Sequence, residues 1–369
     1  MKFFHLADLH LGIRLCEFSL LEDQGYLLRE VLAAVEEETP DAVLLAGDIY
    51  DSPTPSAEAV RLFDTFVSGL SALGCKVLIL PGNHDSADRL SFGASLMEKS
   101  GVYIAGGFRA PLTPVRLSDA YGEVEIFMLP FVRPADVRRV YPDRTIENYT
   151  DAVRTALSDL PADTGARRVL LSHQFVTDGA CELISVGGSD NVELSAYDGF
   201  SYVALGHIHT ARTFRDGRTR YAGAPLAYTF GEIGGEKSLT VVGLSGDGEV
   251  TISERKLHPL RPMRELCGRF ADLISADADE RAFYRVVLTD EEDVPDALAE
   301  LRRRYPYIMQ IAYDNARTRA AAALSFEEDL PMRDPSSLFA EFYEIQNGKP
   351  MAKEAEEILT AMIGEVFST

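Results

Sequence analysis

Short apolar segments of strand length in this chain run directly into side chains that can bind a metal ion. The five segments are residues 2–7, 42–46, 76–80, 168–172 and 202–206. The side chains that follow them are, in chain order, Asp8, His10, Asp48, Asn83, His84, Asp85, His173, His207 and His209. Because ligands of open α/β sheets bind outside the carboxyl ends of the strands, we expect these side chains to meet at one edge.

Helical segments alternate with the apolar ones, which predicts an α/β layered fold. The predicted helices are 22–38, 56–73 and 147–160, and two further strands are predicted at 124–129 and 238–244. Prolines and charges at 257–265 indicate a linker. The strand–helix–strand pattern after it predicts a small second domain at 265–315, and the tail reads as two amphipathic helices.

The formal net charge of −22 argues against a protein that binds nucleic acid unaided, because phosphate binding uses Lys and Arg. Bound divalent cations or a basic partner chain could reverse the sign locally. Cys16, Cys75, Cys181 and Cys267 are scattered, which indicates reduced thiols in a cytoplasmic protein. No apolar run of about 18 residues predicts a membrane helix, and the N-terminus lacks a small-residue cleavage site, so no signal peptide is expected.

The polar side chains at the strand ends have the chemistry of a two-metal centre. Imidazole and carboxylate ligands suit Mn, Fe, Zn or Co rather than Ca. Seven candidates, namely Asp8, His10, Asp48, Asn83, His173, His207 and His209, are too many for one tetrahedral ion but suit two ions that share a carboxylate. Asp48 is mid-sheet by sequence order, so we expect it to bridge the ions.

His84 and Asp85 have a different predicted role. His84 can face the substrate, where it would stabilise developing charge or protonate the leaving oxygen, and Asp85 would hold its ring in one tautomer. Each motif alone also has a structural interpretation, as a turn, a helix cap or a core histidine. The prediction depends on their conjunction, and His5 and His258, which lie elsewhere, are expected to be structural.

The phrases DLH, GDIYD, GNHD, SH and GHIH, in this order, resemble the calcineurin-like metallophosphoesterase superfamily. Within it, HLADLHLGIRL, GNHDSADRLSF, SVGGSDNV, YVALGHIHTAR and YAGAPLAYTFGE resemble the SbcD-like nuclease family. The resemblance extends to LTDEEDVPDALAELRRRYP and SLFAEFYEIQNG. It implies a layered metallophosphoesterase sandwich (1–256), a small α+β capping domain (265–315) and a C-terminal helical partner-binding segment (325–369). Leu9 departs from the bulkier aromatic residue often found there.

The resemblance also implies a function. Members of this family are manganese-dependent nucleases that act on double-stranded DNA ends and hairpins in repair and recombination. They work as dimers with an SbcC-like ATPase of the structural-maintenance type, in a heterotetramer. The resemblance assigns one metal to Asp8, His10, Asp48 and His209 and the other to Asp48, Asn83, His173 and His207. It makes His84 the catalytic histidine and Asp85 its orienter.

The chain lacks the sequence for binding ATP itself. GEIGGEKS is close to a phosphate-binding loop but has no adjacent Gly-Lys pair, so ATP would act only through a partner chain. Arg89 and Arg133 are candidates for contact with DNA phosphates, although surface arginines are often merely solvated.

Two alternatives stay open at this point. The same metal ligands serve other substrates, so a nucleotidase, a cyclic-nucleotide phosphodiesterase or a protein phosphatase is possible on this scaffold. A non-catalytic scaffold for the ATPase is the third hypothesis, and the presence of both Asp48 and His84 argues against it.

Overall fold

The residues that the computed structural model describes are 1–160, 165–178, 190–323, Phe339, Tyr343, Met351 and Leu359. The predicted C-terminal helices therefore lie outside the described residues, apart from these last four single positions. Most of the segment SVGGSDNV and Cys181 lie outside them as well.

Strands are numbered here in chain order. They are β1 (Lys2–Leu6), β2 (Arg14–Leu15), β3 (Phe18–Ser19), β4 (Ala42–Ala46), β5 (Lys76–Leu80), β6 (Val102–Ile104), β7 (Val115–Asp119), β8 (Gly122–Leu129), β9 (Arg167–His173), β10 (Phe175–Thr177), β11 (Asn191–Glu193), β12 (Tyr202–Gly206), β13 (Arg212–Thr213), β14 (Thr219–Tyr221), β15 (Ser238–Leu244), β16 (Val250–Lys256), β17 (Met263–Gly268), β18 (Phe283–Leu288) and β19 (Ile308–Tyr313). The helices are α1 (Leu21–Glu38), α2 (Ala57–Ala72), α3 (Ala87–Leu90), α4 (Ala94–Met97), α5 (Pro134–Val140), α6 (Tyr149–Leu157), α7 (Phe270–Ser275), α8 (Ala297–Arg302) and α9 (Ala316–Ala323). The strands and helices predicted for the sandwich from the sequence are present, with ends that differ by a few residues.

Two six-stranded sheets carry most of these strands. Their orders are β16-β15-β1-β4-β5-β6 and β13-β14-β12-β9-β8-β7. Strands β1, β4, β5 and β6 are mutually parallel, as are β8, β9, β12 and β14. Parallel neighbours need long crossovers, which α1 and α2 supply in the first sheet. The carboxyl ends of β1, β4 and β5 therefore share one edge of that sheet, and those of β9 and β12 share an edge of the other.

The two sheets pack face to face over an apolar core. Residues at alternate positions point between the sheets, because side chains alternate along a strand. Phe3, Leu44 and Leu78 of the first sheet belong to the same buried cluster as Leu171 and Ala204 of the second. The result is the layered α/β architecture that the sequence predicts.

The edge strands β7 and β16 were not predicted from the sequence, and the reason is physical. Their side chains alternate between partly buried and exposed positions, so neither strand forms an apolar run. Each lies at the margin of its sheet, where one face is solvated.

His5 has a structural place inside this core. Its ring lies between the sheets, where Nδ1 is 2.8 Å from the hydroxyl of Tyr202. Burial and the nearby Arg220 lower the pKa of His5 to about 3, so the ring is neutral. His258, in contrast, is largely exposed and pairs with Glu30 at 2.8 Å.

A third sheet, of order β17-β18-β19, follows the linker. Strand β18, helix α8 and strand β19 reproduce the strand–helix–strand pattern expected for 265–315, and β17 adds a strand in front of it.

The chain divides into two compact units. One comprises Met1–Thr289 and Val294–Ala312, and the other Asp290–Asp293 and Tyr313–Thr369. The segment boundaries expected from the resemblance stay predictions. Among the described residues, no helix combines the length and the apolar character needed to cross a bilayer.

Small residues let the two sheets approach closely where their strands end. Ala7 and Ala46 of the first sheet form a buried cluster with Ala222 of the second. A Cβ atom on Gly206 would collide with the carbonyl oxygen of Ala46 and lie 2.7 Å from Nδ1 of His173. Only glycine fits at position 206, and its absence of a side chain brings the ends of β4, β9 and β12 together.

We therefore predict that Gly206→Ala lowers the free energy of unfolding by about 1–3 kcal/mol, the usual cost of overpacking. Denaturant titration of the purified chain measures this. Gly107→Ala is the matched control, because a Cβ atom there meets nothing within 4 Å. Equal stability of the two variants would show that the sheets can separate without cost.

Candidate metal centre

The structure brings all seven predicted ligands to one place, at the ends of strands from both sheets. Three groups have ligand atoms within 4.8 Å of one another. They are Asp8 with His10 and His209, Asp8 with Asp48 and His173, and His10 with Asp48 and His84. Asn83 and His207 join the cluster through hydrogen-bond contacts.

Asp48 lies between the two halves of the cluster, one around His173 and the other around His10. Its Oδ2 atom is 3.2 Å from Nε2 of His173 and 3.7 Å from Nε2 of His10. Its Oδ1 atom accepts a hydrogen bond of 2.9 Å from the backbone N–H of His84. A carboxylate in this position can contact two cations at once, as a bridging ligand must.

The spacing of the donor atoms fits bound cations. Two ligand atoms at about 2.1 Å from one octahedral or tetrahedral ion lie roughly 3.0–3.4 Å apart. Oδ1 of Asn83 is 3.2 Å from Nε2 of His173 and 3.0 Å from Nδ1 of His207. On the other side, Nε2 of His10 is 3.2 Å from Nε2 of His209. Both halves of the cluster therefore have the donor spacing of a metal site.

Unusual backbone conformations direct several of the ligands inward. Asp8, His10, Asp48 and His207 all have positive φ, at 54°, 42°, 49° and 103°. Non-glycine residues rarely adopt such angles, and the strain persists only where surrounding structure imposes it. Here the adjacent chain segments hold it: Asp8 N–H donates to the carbonyl of Gly47, and both oxygens of Asp8 accept from the N–H of His207.

A second glycine is required beside Asp48. A Cβ atom on Gly82 would collide with the backbone nitrogen and a carboxylate oxygen of Asp48. The Pro81-Gly82 turn can thus lie directly against Asp48, which places Asn83 and His84 at the cluster.

His173 is buried completely and has a defined ring orientation. Its Nδ1 atom lies 2.8 Å from the carbonyl of Ala46, which can only accept, so Nδ1 carries a proton and Nε2 faces the cluster. Burial alone would lower the pKa of His173, but Asp48 and Asp8 outweigh it and raise the pKa to about 9. Burial likewise opposes ionisation of Asp48, yet His173 and His10 hold the pKa of that carboxyl below its usual range.

The pKa values of Asp8 and His207 shift in the direction that burial favours. Burial raises the pKa of Asp8. Burial and the neighbouring His173 lower the pKa of His207 to about 4, so His207 is neutral and able to bind a cation at pH 7.

His84 lies beside the cluster, but Asp85 does not orient it. Nδ1 of His84 is 2.9 Å from the carbonyl of Asp51, so this carbonyl fixes the tautomer. The carboxylate of Asp85 instead accepts backbone N–H bonds from Ile49, Tyr50 and Gly82, at 2.9–3.0 Å. The expected role of Asp85 is corrected accordingly: it fixes the GNHD turn against the backbone after β4.

The two arginine candidates differ in their surroundings. Arg89 is exposed and donates to the hydroxyl of Thr54 at 3.1 Å. Arg133 is exposed and lies 5.7 Å from the ring centre of Phe131, which in turn stacks on His207. Arg133 is therefore connected to the rim of the cluster through one aromatic ring.

Asp51, Tyr228 and Glu232 contact the candidate ligands and were not predicted from the sequence. Asp51 places its carbonyl on His84, and its carboxylate lies 3.6 Å from Nδ1 of His10. The ring of Tyr228 contacts both His10 and His209 edge to face, and Glu232 contacts Nδ1 of His209. All three lie in quoted phrases, GDIYD and YAGAPLAYTFGE, which were the available signal.

The raised pKa of His173 predicts that cation binding releases a proton. Below about pH 9 the metal-free ring is charged, whereas a ligand imidazole must be neutral, so affinity should rise with pH up to that value. Calorimetric titration with Mn²⁺ at pH 7, in two buffers of different ionisation enthalpy, measures the proton count. His173→Asn should lower the number of protons released and His258→Asn should not. Proton-free binding at pH 7 would contradict the prediction.

Comparison with known proteins gives matches over most of the chain. A model of the calcineurin-like phosphoesterase family matches residues 1–211, and one of the type 5 capsule protein repressor C-terminal domain matches residues 259–347. The SbcD subunit of the nuclease SbcCD from Staphylococcus epidermidis is 28% identical over 342 residues, covering 89% of this chain and 90% of that protein.

Solved structures give more distant similarities. A dimetal phosphatase from Danio rerio matches with a TM-score of 0.40 and 14% identity, over 69% of this chain and 96% of that one. The protein TT1561 of Thermus thermophilus matches with a TM-score of 0.37 and 11% identity, over 69% of this chain and 98% of that one.

The model of the calcineurin-like phosphoesterase family covers more than half of the sequence, and its matched range includes all seven candidate ligands. This chain belongs to the calcineurin-like phosphoesterase family.

Proposed function

We propose that this protein is the nuclease subunit of an SbcCD-type complex and hydrolyses phosphodiester bonds at the ends and hairpins of double-stranded DNA. The observation that carries the proposal is the cluster in which Asp48 lies between two sets of donors, with His84 beside it. Similarity to a nuclease subunit over most of both chains supports the substrate class. Manganese is the proposed metal, as the resemblance to the nuclease family implies, and mixed imidazole and oxygen ligands are compatible with it.

The seven ligands would hold two divalent cations, divided as the resemblance implies. Asp8, His10, Asp48 and His209 would hold one, and Asp48, Asn83, His173 and His207 the other. Such a pair, when bound, supplies Lewis-acid polarisation of the phosphoryl group and an activated water.

His84 would supply the proton chemistry. Because its Nδ1 proton is committed to the Asp51 carbonyl, Nε2 is the atom that can carry or give up a second proton. As the bond from phosphorus to the sugar oxygen breaks, that proton would pass to the leaving oxygen. Asp85 would act through the backbone, by holding the turn that presents Asn83 and His84.

The negative net charge of the chain opposes its binding to DNA, which is also negatively charged. With a net charge of −22, it needs help from bound cations, from Arg133 at the rim, from the exposed Arg89, and from a partner. The proposed partner is an SbcC-like ATPase, which would also account for any dependence on ATP. The proposed location is the cytoplasm.

A homodimer within the heterotetramer is the proposed assembly. Phe92 and Leu96 are 87% and 73% exposed. Phe92 lines a groove of about 800 Å³ together with other apolar residues such as Phe63, Val67 and Met97, and Leu96 precedes Met97 in α4, so the apolar side chains are contiguous here. A second copy of this chain is the occupant that we propose for this surface.

We predict that His84→Gln lowers cleavage of a linear DNA duplex in Mn²⁺ by about 10²–10⁴-fold, the range typical of lost general acid–base catalysis. Both cations should remain bound, as measured by elemental analysis. An EDTA-treated sample gives the metal-free baseline.

Metal content separates the two possible roles of His84, since it also belongs to one of the three ligand groups. Loss of one cation in His84→Gln would make it a ligand, and wild-type cleavage would remove it from the mechanism. Hydrolysis of bis-p-nitrophenyl phosphate without DNA cleavage would leave the metal centre intact and contradict the substrate class for the isolated chain.

We also predict that the double variant Phe92→Glu, Leu96→Glu is monomeric where the wild-type chain is dimeric. Association of two copies would bury the new carboxylates without partners, which is costly enough to prevent the contact between their apolar surfaces. Size-exclusion chromatography with light scattering measures the mass. Tyr121→Glu is the control, because Tyr121 is also 73% exposed but lies at the β7–β8 turn. A dimeric double variant would exclude this surface.

A further inference from the structure

Glu232 contacts the metal cluster from outside. Its Oε1 atom lies 3.3 Å from Nδ1 of His209. A carboxylate can only accept, so His209 carries a proton on Nδ1, and in the neutral ring Nε2 is the unprotonated nitrogen. Nε2 is the atom that faces Nε2 of His10, at 3.2 Å.

Several groups hold the Glu232 carboxylate in place. Its Oε1 atom also accepts from the backbone N–H of Tyr228, at 3.3 Å, and from both the N–H and the hydroxyl of Thr229, at 3.1 Å. The side chain is only 12% exposed. Glu232 is therefore fixed before any ligand binds.

Lys237 connects the same carboxylate to the His209 backbone. Its Nζ atom is 2.5 Å from Oε2 of Glu232 and 3.2 Å from the carbonyl oxygen of His209. The Glu232–Lys237 pair thus restrains His209 at both its ring and its main chain.

We infer that Glu232, held by Lys237, is the positioning residue of His209: it fixes the tautomer and ring orientation that aim Nε2 at a cation. Ligand histidines in metalloproteins commonly donate their other N–H to a carboxylate in this way. The inference rests on the proposed role of His209 as a ligand.

A merely structural role for Glu232 is the competing explanation. Glu232 and Thr229 form a capping box around a short 3₁₀ turn, Phe230–Glu232. A cap would stabilise that turn without affecting the protonation of a neighbouring ring. The tautomer of His209 therefore distinguishes the two roles.

The first test is long-range ¹H–¹⁵N NMR on the metal-free chain labelled with ¹⁵N-histidine, at a pH where the ring is neutral, with the His209 signals assigned from His209→Asn. Wild-type His209 should be the Nδ1–H tautomer. In Glu232→Ala it should become a mixture, and Glu232→Gln, which keeps a carbonyl acceptor, should restore the wild-type tautomer. An unchanged tautomer in Glu232→Ala would overturn the inference.

The second test is Mn²⁺ titration of the same variants. Glu232→Ala should weaken the binding of one ion by about 10–100-fold, as is usual for lost partners of ligand histidines, while the other ion binds as in the wild type. Glu236→Ala is the matched control: it removes a carboxylate from the same loop, one whose described partner is Lys256. That control should bind both ions normally.

Two outcomes of the titration would count against the inference. Wild-type affinity for both ions in Glu232→Ala would overturn the positioning role. Wild-type affinity for both ions in His209→Asn would show that His209 is no ligand and would remove the basis of the inference. Cleavage of DNA by the wild-type chain, measured separately, tests the proposed nuclease function itself.

Discussion

Burial of carboxylates at the junction of two sheets is the constraint on which this structure depends. Asp8 is fully buried and Asp48 is 2% exposed, so water cannot solvate their charges. Placing an ion in such a position costs several kcal/mol even after the surroundings relax. Backbone N–H groups and His173 offset part of that cost. Divalent cations would offset much more of this desolvation cost. The buried charges that destabilise the metal-free chain therefore favour the binding of metal ions.

The fold supplies the geometry by accepting local strain. Four candidate ligands have positive φ, and glycines at 82 and 206 stand where any side chain would collide with the cluster or its supports. Strain of this kind persists only where packing imposes it. The apolar core between the sheets does so, because it fixes the strand ends close enough for their side chains to contact one another. Stability of the sandwich and precision of the site are therefore coupled.

Much of this could be predicted from the sequence because the signals were local. An apolar run that ends in a histidine or carboxylate identifies both a buried strand and a side chain at its end, and parallel strands bring such ends together. The partner of Asp85 could not be predicted in this way. Its carboxylate satisfies backbone N–H groups of Ile49 and Tyr50, which lie 36 and 35 residues earlier, and no side-chain pattern records a backbone donor.

Glu232 and Tyr228 were missed for a related reason. They belong to the segment between β14 and β15, where glycines and a proline interrupt the apolar residues, so no strand-length apolar run precedes them. The surface around Phe92 was also not predicted. Its apolar residues resemble core residues in the sequence, and their exposure becomes evident only in the folded chain.

The central claim is that two cations share the carboxylate of Asp48, and electron paramagnetic resonance of the Mn²⁺-loaded chain tests it most directly. Two ions joined by one carboxylate are exchange-coupled. The account predicts that the chain binds two equivalents. One equivalent of Mn²⁺ should give the six-line signal of an isolated ion, and two equivalents should give a coupled, multiline spectrum. Two equivalents that give the six-line signal of isolated Mn²⁺ would contradict it, since the ions would then lie too far apart to share Asp48.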